Sequence, residues 1–146
     1  MRVNIVRLKS NAVLPVYQSE HASGMDLHAC LDEPVTIKPL ERVMIPTGLI
    51  IELPAGYEAQ IRARSGLSIK SGITMVNGVG TIDSDYRGEI GMLVINLGDE
   101  PFIVESGMRL AQMVITQFEH VIWNETQLVN ETQRGSDAYG STGAGI

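Results

Sequence analysis

The chain has 146 residues, of which 44% are hydrophobic, and a formal net charge of −6 at pH 7. This length and composition suit one globular domain with its own core and exclude a largely disordered chain. The negative charge argues against nucleic acid as a general partner, which needs a basic face, and no apolar run is long enough to span a membrane.

The N-terminal stretch MRVNIVRLKSNAVLP alternates polar and apolar residues and lacks the continuous apolar core of a signal peptide. It predicts a first β-strand, and we therefore expect a cytoplasmic protein with no membrane partner. The single cysteine, Cys30, excludes an intrachain disulfide and is expected to be a small buried residue. Three scattered histidines beside one cysteine make a poor zinc site.

Most of the chain carries the patterns of short β-strands. Residues 57–64, YEAQIRAR, alternate strictly, with Tyr57, Ala59 and Ile61 facing one side. RVMIPTGLIIEL, EIGMLVINL and RLAQMVITQF are rich in β-branched and aliphatic residues and predict further strands. Proline and glycine turn signals separate these segments, so the sequence predicts an all-β fold of the sandwich or barrel type.

Two segments depart from the strand pattern. RSGLSIKSG predicts a helix of one or two turns over residues 65–70, with Ser65 as its N-cap. The first N–H groups of this helix and the Arg64 side chain would together favour an anion. Residues 124–146 are polar and end in glycine and serine, so we expect an arm that is mobile when free, following a β domain of residues 1–123.

The stretch GTIDSDYRGE, residues 80–89, places three acids between strand patterns that predict a β-hairpin. One interpretation is a hairpin with a charged tip. A second is a carboxylate held where it can act as a base on water, and a third is a site for a hard metal ion. A calcium loop of the EF-hand type is excluded, because its ligand spacing and flanking helices are missing.

Four further stretches combine small residues with serine, arginine or one polar group: SGMDL, RSGLS, GMRLAQ and RGSDAYGSTG. Together with GTIDSDYRGE, and in this order along the chain, they resemble the five motifs of the trimeric dUTPase family, the deoxyuridine triphosphate nucleotidohydrolases. The resemblance covers the chain from about Ser23 to Gly143, and its third motif, in GTIDSDYRGE, is the most specific. It implies a jelly-roll-like β domain with a flexible C-terminal arm, assembled as a homotrimer whose active sites are shared between subunits.

The resemblance also implies a reaction: hydrolysis of dUTP to dUMP and pyrophosphate, in which water attacks the α-phosphorus and Mg²⁺ gathers the triphosphate. This reaction would lower dUTP and supply dUMP for thymidylate synthesis. Asp83 would be the general base, and Asp85 would shape the turn. Tyr86 would lie against the deoxyribose and leave no room for a 2′-hydroxyl.

By the same resemblance, uracil would be read by main-chain groups of Gly80, Thr81 and Ile82. The amide of Asn77, which both donates and accepts, would complement the same edge of the base. Gly91, on the return strand, would let the ligand approach the backbone closely. A tight hairpin would exclude the methyl group of thymine.

The phosphates would be bound by Arg64, Ser65 and Gly66, through a charge, a hydroxyl and main-chain N–H groups. Gln112 would add a side-chain amide to the phosphates or to the attacking water. Arg109 would contribute structurally or electrostatically. These positive and polar groups explain how an acidic chain can bind a triphosphate.

Asp26 would hold a water of the Mg²⁺ shell, which is an indirect metal contact. Arg134 would contact the γ-phosphate, and Tyr139 would stack on uracil when the arm closes. The hydroxyls and N–H groups of the remaining tail residues would wrap the γ-phosphate: Gly140, Ser141, Thr142 and Gly143.

The arm departs from the family pattern at two positions. The family has glycine where Ala138 stands and most often phenylalanine where Tyr139 stands; Asp137 adds a negative charge near the phosphates. Two alternatives to a plain dUTPase remain open. One is a dCTP deaminase or bifunctional member of the same superfamily, and the other is a non-catalytic regulator that binds dUTP.

Overall fold

The computed structural model describes residues 1–138. These residues form eleven β-strands and one short α-helix, which confirms the predicted all-β class with one short helix. The elements are β1 (Asn4–Arg7), β2 (Met25–His28), β3 (Val35–Ile37), β4 (Arg42–Pro46), β5 (Leu49–Glu52), β6 (Tyr57–Ala63), α1 (Ser65–Ser71), β7 (Ile73–Met75), β8 (Val79–Ile82), β9 (Gly91–Asn96), β10 (Phe102–Val104) and β11 (Arg109–Gln117). Within this part of the chain, no helix has the length and apolar character needed to cross a bilayer.

The strands form four small open sheets. The largest has the order β2-β11-β6-β8, and a three-stranded sheet has the order β4-β9-β7. Two further pairs, β1 with β5 and β10 with β3, complete the set. Every strand pair among the described residues is antiparallel, and the paired strands are not consecutive along the chain.

The period-two pattern of β6 explains its place in the largest sheet. Ala59 and Ile61 are buried, whereas Glu58, Gln60 and Arg62 lie on the other face. Burial of one face of each strand unites the sheets around a single core. The fully buried large side chains of this core include Leu27, Ile37, Ile45, Leu49, Ile61, Ile73, Ile90, Met92, Val94 and Val104. Cys30 is also buried, as predicted.

The predicted β-hairpin around GTIDSDYRGE is wrong. β8 pairs with β6 in the four-stranded sheet, whereas β9 pairs with β4 and β7 in the three-stranded sheet. Residues 83–90 therefore form a connection from one sheet to the other, which we call the crossing loop. Sequence alternation predicts that a strand exists but does not identify its partner, and this explains the error.

The predicted N-cap at Ser65 is also wrong. The N-cap position is Arg64, which has extended backbone angles (φ −94°, ψ 123°) and makes no side-chain capping bond. Ser65 is the first helical residue, so the helix begins one position earlier than a Ser65 cap requires. α1 ends at Gly72, whose positive φ of 67° lets its N–H bond back to the last turn.

Candidate active site

An aspartate lies between two arginines at one end of the four-stranded sheet. Asp26 lies in β2, Arg109 begins β11, and Arg64 directly follows β6. Asp26 Oδ1 is 3.0 Å from Arg64 Nε, and Asp26 Oδ2 is 3.0 Å from Arg109 Nη1. Arg64 Nη1 also donates to the main-chain oxygen of Arg109 at 3.0 Å. Asp26 is only 7% exposed, and its carboxylate holds both guanidinium groups in place. Because two arginines face one aspartate, the cluster keeps a net positive charge.

Gln112 lies beside this cluster with the nitrogen of its side-chain amide hydrogen-bonded to the backbone. In the sheet it stands opposite Asp26 of β2 and Arg62 of β6. Its Nε2 donates to the main-chain oxygen of Ala63 at 3.0 Å. A Cβ at Gly24 would lie 2.5 Å from Gln112 Oε1, so glycine there leaves the space that the amide occupies.

These residues line an open cavity of about 400 Å³, which we call the arginine cavity. Its lining consists of Gln18, Ala22, Gly24, Asp26, Arg64, Ser65, Gly66, Arg109 and Gln112. Ser65 and Gly66 begin α1, and the first N–H groups of a helix have no acceptor within it. The cavity therefore combines two arginines, a hydroxyl, an amide and unpaired N–H groups, a donor set suited to phosphate oxygens.

His28 stands opposite Arg109 at the edge of this cluster. Burial lowers the pKa of His28 below its ordinary value of 6.5; Asp26 acts against this shift, and Arg109 and Arg64 add to it. The imidazole is therefore uncharged at neutral pH. The positive charge that faces the cavity comes from the two arginines.

The crossing loop forms a second cavity of about 250 Å³, which we call the tyrosine cavity. Its lining consists of Met44, Thr81, Ile82, Asp83, Tyr86, Glu89, Gly91 and Leu93. The Tyr86 N–H donates to the main-chain oxygen of Asp83 at 3.1 Å, and Tyr86 Oη donates to the main-chain oxygen of Glu89 at 3.1 Å. The carboxylate of Asp83 and the ring of Tyr86 thus belong to one compact turn beside a small cavity.

The residues expected to read a base lie along β8 and its flanks. Asn77 occupies the turn before β8, and its Nδ2 would lie 3.2 Å from a Cβ added at Gly80. Within residues 1–138, β8 is an edge strand paired only with β6, so part of its backbone N–H and C=O groups face away from the sheet. Gly91 begins β9, and a Cβ there would lie 2.9 Å from Met44 Sδ. A side chain at either glycine would crowd this region.

The two cavities lie far apart within one chain. Ile82 pairs with Ala59 near the start of β6, whereas Arg64 follows the end of that strand. Ala59 and Arg64 are five residue steps apart along β6 and its extension, which corresponds to about 16 Å at the usual strand rise. Asp83 lies one residue beyond Ile82, still farther from Arg64. The predicted phosphate-binding residues and the predicted base, Asp83, thus lie apart within one chain.

The described part of the arm makes little contact with the rest of the chain. Every residue from 119 to 138 is exposed, including Trp123 at 89%. Arg134 lies in a turn and donates from Nε to the main-chain oxygen of Asp137 at 2.9 Å. The other predicted arm residues lie outside the described residues: Tyr139, Gly140, Ser141, Thr142 and Gly143.

Sequence reasoning underestimated part of the arginine cavity. Arg109 is separated from Asp26 by 83 positions, so no local pattern shows that the two side chains meet. Gln18 lines the same cavity, and no motif points to it. Gly24 belongs to SGMDL, but only its closeness to Gln112 in the fold shows why glycine is needed there.

The chain is similar to known proteins over nearly its whole length. Residues 10–143 match the family model described as dUTPase. The chain is 52% identical over 143 residues to the deoxyuridine 5′-triphosphate nucleotidohydrolase of Rickettsia felis, covering 97% of each chain. It is 51% identical over 143 residues to the protein of that name from Rickettsia akari, again covering 97% of each.

Solved structures share the fold at lower sequence identity. One is a mutant dUTPase of Staphylococcus bacteriophage 80alpha with dUpNHpp, which has a TM-score of 0.86 at 24% identity and covers 98% of this chain and 99% of its own. Another is a mutant dUTPase from phage phi11 of S. aureus, described for the coordination of a structural Mg(II) ion. It has a TM-score of 0.79 at 22% identity and covers 88% of this chain and 98% of its own.

Proposed function

Because the chain belongs to the dUTPase family, we propose that it hydrolyses dUTP to dUMP and pyrophosphate through attack of water on the α-phosphorus. The reaction needs a site that binds a triphosphate, a base that activates water, and a pocket that selects uracil and deoxyribose. The observation that supports the proposal is a pair of cavities: the arginine cavity offers donors suited to phosphate, and the tyrosine cavity is lined by Asp83 and Tyr86.

The arginine cavity would bind the phosphates. Arg64 would contribute charge-assisted hydrogen bonds, and Arg109, which the Asp26 carboxylate holds in place, would add its guanidinium charge to the cavity. The Ser65 hydroxyl and the N–H groups of Ser65 and Gly66 would donate to the same oxygens. The amide of Gln112 would donate to a phosphate oxygen or orient the attacking water. A preorganised donor set stabilises the charge that develops on phosphate oxygens in the transition state.

The tyrosine cavity would hold the nucleoside. Asp83 would accept the proton of the attacking water, a role that contributes roughly 10²–10⁴-fold to a rate. The Tyr86 ring would lie against the deoxyribose and leave no space for a 2′-hydroxyl.

The unpaired edge of β8 would read uracil. Backbone groups of Gly80, Thr81 and Ile82 provide both donors and acceptors along this edge, and Asn77 adds an amide that can do either. Gly91 would allow close approach of the ligand to the start of β9. The limited width of the tyrosine cavity would exclude the 5-methyl group of thymine.

A complete site would need a second copy of the chain. Within one chain the proposed base lies more than about 16 Å along β6 from the proposed phosphate ligands. The base and the phosphate ligands must act on the same α-phosphate, so these two groups of one chain are too far apart to form one site. The tyrosine cavity of one copy would therefore face the arginine cavity of another. A closed homotrimer satisfies this arrangement, because a cyclic assembly repeats one such interface three times.

The arm would complete the site from a further copy. Residues 119–138 have little contact with their own chain, so they are free to reach a neighbour. Arg134 would bind the γ-phosphate and Tyr139 would stack on uracil. The hydroxyls and N–H groups of Gly140, Ser141, Thr142 and Gly143 would surround the γ-phosphate. Closure of the arm would exclude water other than the nucleophile.

The arginine cavity fits an indirect Mg²⁺ site. Each oxygen of Asp26 accepts one arginine N–H and keeps a second acceptor position for a water of the metal shell. Within residues 1–138 no three His, Cys, Asp or Glu side chains are grouped as a metal cage, so the phosphates and water would supply most of the ligands. When bound, Mg²⁺ would offset part of the triphosphate charge.

Pyrophosphate release from dUTP, dTTP, dCTP and UTP, measured side by side with Mg²⁺, tests the proposal. We expect release from dUTP alone, and Asp83→Asn should abolish it while a dUTP analogue still binds. Formation of dUMP or dUTP from dCTP would instead indicate the deaminase or bifunctional alternative. Binding of dUTP without pyrophosphate release by the unaltered protein would indicate a regulator.

A further inference from the structure

Tyr86 is held within the crossing loop through both its backbone and its ring. Its main-chain N–H donates to the oxygen of Asp83, and its ring hydroxyl donates to the oxygen of Glu89, each at 3.1 Å. The residue is therefore tied to the proposed base through its backbone and to the end of the loop through its ring. Tyr86 remains 44% exposed and lines the tyrosine cavity.

Gly88 provides the space in which this ring lies. A Cβ at Gly88 would lie 2.5 Å from Tyr86 Cζ and 3.0 Å from Cε2, and closer still to Oη. Real carbon contacts do not reach such distances, so any side chain at this position would displace the ring. The φ of Gly88 is not among the positive values of the chain, so the ring, not the backbone conformation, is the reason for glycine.

Glu89 fastens the end of the loop to the turn between β4 and β5. Its Oε1 accepts the N–H of Gly48 at 2.6 Å, a short charge-assisted hydrogen bond. The next residue is held by the same turn, because Thr47 Oγ1 donates to the oxygen of Ile90 at 2.7 Å. The N–H of Ile90 also donates to the oxygen of Leu49 at 2.9 Å.

This turn is itself immobilised against the core. Gly48 has a φ of 69°, and a Cβ there would lie 2.8 Å from both Ala12 Cβ and Cys30 Sγ. Ala12 and Cys30 are both buried. The core thus holds Gly48, and the N–H of Gly48 holds the carboxylate of Glu89. The main-chain oxygen of Glu89 in turn accepts the Tyr86 hydroxyl, so the ring is linked to the core through continuous contacts.

We propose that Gly88 and Glu89 are positioning residues for sugar selectivity. Gly88 leaves the space that the Tyr86 ring occupies, and Glu89 fixes the peptide whose oxygen accepts the ring hydroxyl. The inference rests on the proposed function, in which this ring lies against the deoxyribose. A ring held by a supporting layer of contacts cannot turn aside for a 2′-hydroxyl, whereas a loosely held ring can. Neither residue needs to touch the substrate.

The Gly88→Ala variant tests the first half of the proposal through the ratio of kcat/KM for dUTP to kcat/KM for UTP. We expect this ratio to fall about tenfold, the scale at which one misfitted group changes discrimination. Ser84→Ala is the matched control within the loop, because the Ser84 contact in this region is made by its main-chain oxygen. The control should keep the ratio of the unaltered protein.

Glu89 variants test the second half and do not place new atoms beside the ring. Glu89→Ala should lower the ratio, and Glu89→Gln should restore most of it, because the amide oxygen still accepts the Gly48 N–H. Glu89 is exposed, so both variants are expected to fold, and thermal unfolding checks this. General destabilisation lowers both kcat/KM values together and leaves their ratio unchanged.

The outcomes distinguish a failure of the proposed function from a failure of the inference about Gly88 and Glu89. If the unaltered protein releases no pyrophosphate from dUTP, the proposed function fails and the inference fails with it. If the unaltered protein prefers dUTP and the folded Gly88→Ala and Glu89→Ala variants keep that preference, only the inference is overturned. Should Gly88→Ala not fold, the Glu89 pair alone decides the inference.

Discussion

Asp26 Oδ1 lies 3.0 Å from Arg64 Nε, although β2 and β6 are not neighbours in the sheet. β11 separates the two strands, and the contact crosses the first residues of β11, since Asp26 stands opposite Gln112. Arg64 follows the last residue of β6, so no strand pairing fixes its side chain there. The nearly buried carboxylate of Asp26 therefore fixes the position of the Arg64 side chain.

Replacing Asp26 by alanine is expected to damage both stability and phosphate binding. The change leaves two neighbouring guanidinium groups without the carboxylate between them. We expect the free energy of unfolding to fall by about 1–3 kcal/mol, as for loss of a buried hydrogen-bonding partner, and KM for dUTP to rise. Urea unfolding and steady-state pyrophosphate release measure the two effects.

Asp32→Ala is the matched control for that change. Asp32 pairs with Lys9 at 2.7 Å, but its side chain is 80% exposed. An exposed pair of this kind contributes little to stability, because solvent screens it. Equal effects of the two substitutions would show that the Asp26 cluster has no special importance.

Mixing two inactive variants tests whether the site is shared between copies. One chain carries Asp83→Asn and the other carries Arg64→Ala; each alone is expected to have little activity. In a mixed assembly, the tyrosine cavity of the second chain can meet the arginine cavity of the first and form an intact site. We expect pyrophosphate release to recover in doubly tagged assemblies purified through both tags.

A mixed assembly without activity would contradict the shared site. If both residues served the same site within one chain, no mixed assembly would contain an intact site, because each chain lacks one of them. Purified mixed assemblies with no recovered activity would therefore contradict the shared site. Assemblies of unaltered chains carrying the same two tags control for the effect of the tags.

Truncation before Arg134 should reduce turnover strongly and leave the assembly intact. The residues removed include the proposed γ-phosphate and uracil contacts of the arm. The described residues among them, 134–138, are exposed and contribute nothing to the core. Light scattering reports the assembly and pyrophosphate release reports turnover. Monomers in the light-scattering measurement would mean that the arm has a structural role that the proposal does not include.

The thiol of Cys30 should react slowly in the folded protein. Burial raises its pKa above the ordinary value of 9.0, so little thiolate forms near neutral pH, and the side chain is 1% exposed. The raised pKa also means that the unfolded chain loses this proton first, so stability should fall as the pH rises above about 9.

Alkylation by iodoacetamide, with and without urea, measures the reactivity of Cys30. We expect fast modification only in urea, and none in a Cys30→Ala variant. Urea unfolding at pH 8 and pH 10 measures the stability change. The Cys30→Ala variant should lose less stability than the unaltered protein over that pH interval. Equal alkylation rates with and without urea would contradict the buried position.

Local patterns predicted the elements better than their partners. The alternation in residues 57–64 predicts β6 and its buried face, because side-chain direction follows directly from strand geometry. The pattern around the crossing loop predicts a hairpin, because nothing in its sequence shows that β8 and β9 belong to different sheets. Residue type alone predicts an N-cap at Ser65, whereas the extended backbone angles of Arg64 decide where α1 begins.

In the candidate site, too, the sequence predicts individual residues better than the contacts between them. Motif resemblance predicts Asp26, Arg64 and Gln112, and the fold brings them to one cavity. It does not show that Arg109 binds the Asp26 carboxylate, because that contact depends on how β2 and β11 meet. Gln18 enters the cavity from a segment with no motif. These features follow from tertiary packing, which the sequence pattern does not report.

The crossing loop joins two sheets of the fold, and each of its ends continues into a strand of a different sheet. Asp83 follows β8 in one layer, and Gly91 begins β9 in the other, while Ile61 of β6 and Met92 of β9 share the core. A substitution at Ile61 or Met92 that changes the layer spacing will also change the width of the tyrosine cavity. The tolerance of these core positions to mutation is thus limited by substrate choice as well as by folding.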